Sequence, residues 1–172
     1  MEVSSLQRNK PHLESVLGPL SDEDDLRIRS LLDEVDRVLL EIAGNFGRSC
    51  AGWEGTGLEL NWYASGQVSI SSSVGAAASS GCVEFGIELQ PLWCFGNKSS
   101  NLAWDIETTI SADCSHSNDH GGMDAVHETT VRVESAIDAA IAMRSAVDDL
   151  QRIAKEYSLE HWLELASDRV IL

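Results

Sequence analysis

The sequence predicts an α+β domain in which helices pack against one face of an antiparallel sheet. Apolar residues recur every three or four positions near both ends of the chain, as on the buried side of a helix, and every second position between them, as in a half-buried strand. Because helical and strand segments are grouped rather than alternating, a parallel α/β sheet is disfavoured. We expect an N-terminal helix, a four-stranded meander-like sheet, a long C-terminal helix and a short final helix.

Residues 1–20 predict a loose lead-in, and residues 21–172 predict a single folded domain. Pro11, Gly18 and Pro19 interrupt the first segment, which leaves room for little more than a turn of helix. Ser21 is followed by acidic residues, a pattern typical of a helix start, because a hydroxyl caps the first backbone N–H groups and acids favour the positive end of the helix dipole. We expect this helix to end at Gly44.

The middle of the chain predicts strands, because apolar and polar residues alternate there. Ser65 and Gly66 separate the first two alternating runs, which is typical of a hairpin turn. Residues 75–81 are almost entirely Gly, Ala and Ser, so we expect a flexible connection. The four predicted strands cover residues 58–63, 68–71, 83–90 and 102–114.

The last third predicts helices after a polar connection over residues 113–128. One segment of roughly 25 residues has apolar residues at helical spacing, and Ser158 is placed to cap a shorter helix. The residues expected on the buried sides of these helices are Ile137, Ala140, Ile141, Val147, Leu150, Ala154, Leu159, Trp162, Leu163 and Ala166.

The chain is strongly acidic, with 12 Lys and Arg against 28 Asp and Glu and a formal net charge of −16. Proteins that bind nucleic acid rely on Lys and Arg for phosphate contacts, so that class of partner is disfavoured. No apolar run reaches the roughly 18 residues of a membrane helix, and the first ten residues lack the apolar segment of a signal peptide. We therefore expect a bacterial protein of the cytoplasm with neither a nucleic-acid nor a membrane partner.

The four cysteines, Cys50, Cys82, Cys94 and Cys114, are scattered and form no C-x-x-C pair. This spacing is unlike that of a disulfide-stapled secreted domain and favours reduced thiols in a cytoplasmic protein. A cross-strand bridge between Cys82 and Cys114 is the alternative if their strands are neighbours.

One face of the predicted sheet collects acidic, hydroxyl and amide side chains without any Lys or Arg from the four strands. Like charges on neighbouring strands reduce stability, so a field of one sign needs a reason. A solvated face that aids solubility is one interpretation, and a docking surface for a basic protein is the other. We name as the predicted acidic face Glu59, Tyr63, Glu84, Glu88, Asp105, Glu107 and Asp113.

Residues 113–128 also combine several side chains that could bind a metal. Cys114, His116, His120 and His127 follow a C-x-H-x3-H-x6-H spacing beside several aspartates, and thiolate and imidazole are ligands of zinc. The spacing matches no standard zinc module. A polar connection that happens to contain histidines is the competing interpretation.

The sequence contains no phosphate-binding loop, nucleophile elbow or redox pair, so we expect a protein that is not an enzyme. The first functional hypothesis is a small acidic interaction protein that binds a basic protein, with an immunity-type inhibitor of a bacterial toxin enzyme as its concrete form. The alternative is a zinc-binding domain or hydrolase centred on Cys114, His116, His120 and His127. No cofactor is expected apart from that zinc, and a homo-oligomer is the third hypothesis for partners.

Overall fold

The computed structural model of this chain describes residues 10–46, 58–64, 67–78, 80–92, 102–113 and 123–168. These residues form four helices and five strands. The helices are α1 Lys10–Leu17, α2 Asp22–Asn45, α3 Ala136–Ala154 and α4 Leu159–Asp168. The strands are β1 Glu59–Trp62, β2 Val68–Ala78, β3 Gly81–Pro91, β4 Trp104–Asp113 and β5 Met123–Val133. The α+β class is therefore confirmed.

The sheet is an antiparallel meander with the strand order β1-β2-β3-β4-β5. It has five strands, so the prediction of four is wrong. The missing strand is β5, whose first half lies in the segment predicted as a polar connection. Val126 is its only buried residue, and most of its other side chains are polar. An edge strand of this kind lacks the apolar alternation by which the other strands were recognised.

Residues 75–78, which were predicted as part of a flexible connection, belong to β2, and Gly81 begins β3. Residues 75–78 pair with residues 81–84 of β3, and Ala76 is fully buried. Composition predicted flexibility because small side chains specify little. In the folded chain the backbone hydrogen bonds of the hairpin determine the conformation, and the small side chains lie in the sheet without conflict.

The core lies between the helices and one face of the sheet. Phe85, Ile106 and Ile110 of the sheet are buried against the apolar stripes of α2, α3 and α4. Ser21 caps α2 by accepting a hydrogen bond from the Asp24 N–H, as predicted. All four apolar residues predicted for the last helix, Leu159, Trp162, Leu163 and Ala166, are buried in α4.

Helix α3 is shorter than expected, with 19 residues, because Ser135 caps it and it ends at Ala154. Ile141 was predicted to be buried but is 40% exposed. The apolar stripe of α3 follows Ala140, Met143 and Val147 instead. Ile141 lies one position beyond Ala140, at the margin of that stripe.

Part of the expected lead-in is ordered structure. Helix α1 buries Leu13, Val16 and Leu17 in the core, and the carbonyl oxygen of Val16 accepts a hydrogen bond of 2.8 Å from the Trp104 indole. Gly18 ends the helix with a φ of 77°, a conformation that glycine adopts without strain. Helix α1 is thus tied to the first residue of β4.

The other side of the sheet, here called the outer face, is not covered by any of the four described helices, whose buried apolar residues all join the single core on the opposite side. Its principal residues are Glu59, Asn61, Ser71, Ser73, Glu84, Gly86, Glu88, Gln90, Asp105, Glu107, Thr109, Glu128, Thr130 and Arg132. Among the described residues, none of the helices combines the length and apolarity that crossing a bilayer requires.

Cys82, at the start of β3, is disulfide-bonded. Its partner cysteine lies outside the described residues, so the pairing with Cys114 stays a prediction. Reduced thiols were expected at all four cysteines, and for Cys82 that expectation is wrong. The reason is spatial, because scattered positions in the sequence do not exclude closeness in the folded chain.

Candidate functional site: the acidic outer face

The outer face brings together most of the predicted acidic face. Strand alternation places Glu84 and Glu88 of β3 and Asp105 and Glu107 of β4 side by side, and Glu59 of β1 opposite Ser71 of β2. These positions were predictable because side chains in a strand alternate between its two faces. Which of them become neighbours depends on the strand order and register.

Glu88 is held in place by two hydroxyl groups from the β1 side of the sheet. The Tyr63 hydroxyl donates a hydrogen bond of 2.6 Å to Glu88 Oε1, and the Ser69 hydroxyl donates to the same oxygen. The bond to Glu88 is the main cause that raises the pKa of Tyr63 above its usual range. Tyr63, although 43% exposed, therefore contributes to the face as a hydrogen-bond donor that orients a carboxylate.

Glu107 lies directly opposite Glu88 in the register of β3 and β4. Burial raises the pKa of Glu107, and the negative charges of Glu128, Glu88 and Asp105 raise it further. Two carboxylates at directly opposed positions repel each other. The centre of the outer face is thus an electrostatically unfavourable arrangement within the protein itself.

A shallow hollow lies beside these two carboxylates, at the position where Gly86 has no side chain. It has a volume of about 190 Å³, and Glu84, Glu88, Glu107 and Thr109 contribute to its lining. A Cβ atom at Gly86 would lie 3.0 Å from the Thr109 hydroxyl oxygen, which is tighter than most such contacts. Burial raises the pKa of Glu84, although a hydrogen bond from Ser73 opposes that shift.

Among the described residues, the outer face contains one arginine, which lies on the unpredicted strand β5. Arg132 lies opposite Asp105, and its Nε and Nη2 donate to the two carboxylate oxygens at 2.7 and 2.8 Å. This bidentate contact lowers the pKa of Asp105. Asp105 is therefore neutralised within the chain and is not a free charge for a partner. The expectation of a face without any basic residue is wrong for this reason.

Asp113 is separated from the other predicted residues. Its Oδ2 accepts a hydrogen bond of 2.7 Å from the backbone N–H of Cys82, and it lines a cavity of about 520 Å³ against α4. The other residues that line this cavity are Ser80, Glu160, Leu163, Glu164, Ser167 and Asp168. Strict alternation assigned Asp113 to the outer face, but it is the last residue of β4 and lies beside Leu163.

Glu128 joins the acidic site although it was not among the predicted residues of the acidic face. It lies on β5 opposite Thr109, diagonal to Glu107, whose pKa its charge raises. In the described part of the chain, Glu84, Glu88, Glu107 and Glu128 form no ion pair. We call these four residues the central carboxylates. The alternation of Glu128, Thr130 and Arg132 was the available signal for their strand.

The predicted metal ligands lie mostly outside the described residues, namely Cys114, His116 and His120. His127 is described and lies in β5 opposite Ile110, on the helix side of the sheet. Its Nε2 atom is buried and has no hydrogen-bond partner among the described residues. Within those residues no group of three or more His, Cys, Asp and Glu could hold a metal. The metal site stays a prediction.

The central carboxylates present hydrogen-bond acceptors and negative charge to solvent. Such groups bind lysine ammonium and arginine guanidinium groups, with which they form charge-assisted hydrogen bonds. Comparison of the chain with protein-family models, with curated proteins and with solved structures finds no match in any of the three.

Proposed function

We propose that the protein binds a basic protein through its outer face. The observation that carries the proposal is the opposition of Glu88 and Glu107, with Glu84 and Glu128 beside them and no ion pair to any of the four within the described residues. Lysine or arginine side chains from a partner would convert this repulsion into attraction. A field of one sign also speeds encounter with a partner of opposite charge.

The geometry of the face supports a protein partner. The face belongs to a five-stranded sheet, which keeps the carboxylates at fixed spacing, and Tyr63 and Ser69 orient Glu88 before any partner arrives. Groups that are ordered in advance lose less conformational entropy on binding. The hollow at Gly86 gives a partner's side chain access to the carboxylates on either side.

The more specific form of this proposal is an immunity-type inhibitor of a bacterial toxin enzyme. Enzymes that cleave nucleic acids carry basic surfaces for phosphate groups. Carboxylates at fixed spacing could occupy those positions and exclude the substrate. This form rests on the size, acidity and open sheet face of the protein, and therefore on analogy.

A matched pair of variants tests binding through the outer face. In the first, Glu84, Glu88 and Glu107 are replaced by Gln. In the second, the exposed residues Glu23 and Glu160 are replaced by Gln and Asp33 by Asn, on helices on the other side of the sheet. Both variants lose three negative charges. The probe is a deca-lysine peptide, and binding is measured by calorimetry at low and at physiological salt.

We expect the outer-face variant to bind the peptide about tenfold more weakly than the helix variant, since each exposed charge pair contributes about 0.2–1 kcal/mol. Backbone amide shifts on titration should be largest along β3 and β4. Equal weakening in the two variants would show that only net charge matters and would contradict the proposal. Binding that salt does not weaken would contradict it as well.

The inhibitor form has its own test in bacteria. The genes beside its own are cloned, any that encodes a basic enzyme toxic to bacteria is expressed together with the chain, and cell survival is measured. We expect the wild-type chain and the helix variant to protect the cells and the outer-face variant to fail. If the chain binds the peptide but does not protect the cells, the proposal of a basic protein partner stands and the proposal of a toxin inhibitor is contradicted.

A cytoplasmic location belongs to the same proposal, and the bridge at Cys82 counts against it, because stable disulfides are rare in the cytosol. To test whether Cys82 is bridged in the cytoplasm, free thiols are alkylated in intact cells before lysis, and the modified cysteines are located by mass spectrometry. Alkylated Cys82 in the cytoplasmic fraction would support the location. Protected Cys82 would contradict it.

A zinc site is the second candidate function, and the observation that favours it is the buried Nε2 of His127. A buried ring nitrogen without a partner is unfavourable unless something binds it. Elemental analysis of the purified chain tests this candidate, with His127→Ala as the comparison. We expect about one zinc per wild-type chain and a loss in the variant. Less than about 0.2 zinc per chain would contradict a tight structural site.

A further inference from the structure

Strand β5 is a long edge of the sheet. It has 11 residues, whereas the opposite edge strand, β1, has four. The strand order places β5 last, so no described strand pairs with its free side. All five side chains from 128 to 132 are exposed, including Val131 at 47%. Within the described part of the chain, the outer side of residues 128–132 is therefore available to another strand.

Two of the usual protections of an edge strand, proline and lysine, are missing from β5, and its irregularity in pairing lies at Val126, before residue 128. Residues 128–133 are Glu-Thr-Thr-Val-Arg-Val and pair regularly with β4. Thr and Val favour strands, and a regular, exposed edge of this composition offers unpaired backbone groups to a second strand.

The sequence of this edge is complementary to itself. When two copies of β5 run antiparallel around a two-fold axis at Thr130, Glu128 of each copy lies opposite Arg132 of the other. Thr129 of each copy then lies opposite Val131 of the other, on the opposite side of the sheet. Opposed charges and paired β-branched residues are both favourable cross-strand neighbours. A two-fold axis produces each contact twice.

We propose that two copies of the chain pair through β5 into a dimer with one continuous ten-stranded sheet. Arg132 can take part without leaving Asp105, because that contact uses Nε and one bond from Nη2, and its guanidinium is exposed with further N–H donors. Val131, exposed in the single chain, would pack beside Thr129 of the second copy. The dimer would pair Glu128 with Arg132 of the second copy and leave Glu84, Glu88 and Glu107 open, so it does not depend on the proposed function.

The negative charge of the chain does not exclude this contact. Repulsion between the two copies is screened beyond about 8 Å at physiological ionic strength, whereas the ion pairs between Glu128 and Arg132 act at contact distance. Edge pairing over a few residues is a small interface. We therefore expect an equilibrium between monomer and dimer that depends on protein concentration.

Two charge-reversed variants give a sharp test, and sedimentation equilibrium is the measurement. Glu128→Arg places two arginines on the edge, and Arg132→Glu places two glutamates there, so each variant repels its own copy. Mixed together, the two variants restore both ion pairs in a heterodimer. Asp33→Arg, an exposed change on α2 with the same charge difference as Glu128→Arg, is the control.

We expect a dimer for the wild type and for Asp33→Arg, a dissociation constant at least about tenfold higher for each edge variant, and recovery on mixing. Arg132→Glu also loses the bond to Asp105, so its fold is checked by circular dichroism. If it does not fold, Glu128→Gln replaces it and should weaken the dimer less than Glu128→Arg does. A monomer at every concentration up to the millimolar range would overturn the proposal. So would a dimer that Glu128→Arg leaves unchanged.

Discussion

Glu88 on β3 and Glu107 on β4 lie directly opposite each other on a sheet face that no described helix covers. Two hydroxyl groups donate to Glu88, and Glu107 has a raised pKa from burial and from its acidic neighbours. Folded proteins seldom retain opposed like charges without a compensating contact, because the pair reduces stability. The same repulsion that lowers the stability of the chain would be relieved by the basic side chains of the proposed partner.

Replacing Glu107 by Gln should stabilise the protein at neutral pH by a few tenths to about 1 kcal/mol, since the repulsion with Glu88 and Glu128 is lost. A carboxyl whose pKa is raised by folding binds its proton more tightly in the folded state. The contribution of Glu107 to the wild-type free energy of unfolding should therefore fall as the pH rises above the ordinary value of 4.5.

Urea denaturation at mildly acidic and at neutral pH measures this effect. The gain from Glu107→Gln should be present at neutral pH, shrink as the pH falls through the raised pKa of Glu107 and vanish below 4.5. Glu59→Gln, on the same face but opposite Ser71, is the control and should change stability little. A gain of the same size at both pH values would show that repulsion between charges is not its cause.

Asp36 of α2 is a second carboxyl whose charge opposes folding. It accepts hydrogen bonds from the Leu58 N–H and the Ser72 hydroxyl, each at 3.3 Å, between the helix and the sheet. Burial raises its pKa above the ordinary 3.8, and its hydrogen bonds only partly oppose this. Asp36→Asn keeps an acceptor and removes the charge, so we expect higher stability at neutral pH.

The free energy of unfolding measured as a function of pH distinguishes this effect from a change in packing. Wild type and Asp36→Asn should converge at low pH and separate as the pH rises above 3.8, with the wild type the less stable. Asp33→Asn, which is exposed on the same helix, should show a smaller separation. Lower stability of Asp36→Asn at neutral pH would mean that the ionised form is required for the two hydrogen bonds.

Helix α1 should contribute strongly to stability although it precedes the predicted domain. Leu13 is completely buried, so Leu13→Ala should cost about 2–5 kcal/mol from lost contacts and the cavity left behind. Leu26, which is 70% exposed on α2, provides the matched control, and Leu26→Ala should change stability by less than about 0.5 kcal/mol. Thermal and chemical denaturation measure both. Equal, small effects would show that α1 does not belong to the core.

The contact between Gly86 and Thr109 predicts a coupled pair of substitutions. Gly86→Ala places a Cβ 3.0 Å from the Thr109 hydroxyl oxygen and should destabilise the protein by about 1 kcal/mol. Thr109→Ala removes that oxygen, so Gly86→Ala should cost less in the Thr109→Ala background. A double-mutant cycle gives the coupling. If the two effects simply add, Thr109 is not the obstacle.

Gly44→Ala is the control for the effect that replacing any glycine has on backbone flexibility. It lies in α2 with no atom within 4 Å of a Cβ position. Gly44→Ala should stabilise the protein by about 0.5–1 kcal/mol, since alanine favours helix. A destabilising Gly86→Ala and a stabilising Gly44→Ala would together attribute the difference to the close contact with Thr109.

Local patterns in the chain were sufficient for the elements that bury an apolar stripe. Helix α2 begins after Ser21 as predicted, and β4 shows the strict alternation that its sequence indicated. These elements were recognisable because burial of every second, third or fourth residue leaves a periodic record. Strand β5 left little such record, since its edge position exposes both sides.

The candidate site divides in the same way. Alternation was enough to assign Glu84, Glu88 and Glu107 to one polar face, because each follows from its own strand. It could not indicate that Arg132 neutralises Asp105, since that contact joins residues 27 positions apart across β4 and β5. Nor could alternation indicate that the Asp113 carboxylate accepts from the Cys82 N–H and lines the cavity against α4.

Sequence by itself determined which residues of each strand are apolar and which are acidic, since side chains alternate between two faces wherever a strand forms. Tertiary structure decided that Glu88 meets Glu107, that Arg132 meets Asp105 and that β5 is an edge. Those outcomes depend on strand order and register, which are set by backbone pairing between distant segments and by the shared core that their apolar sides bury.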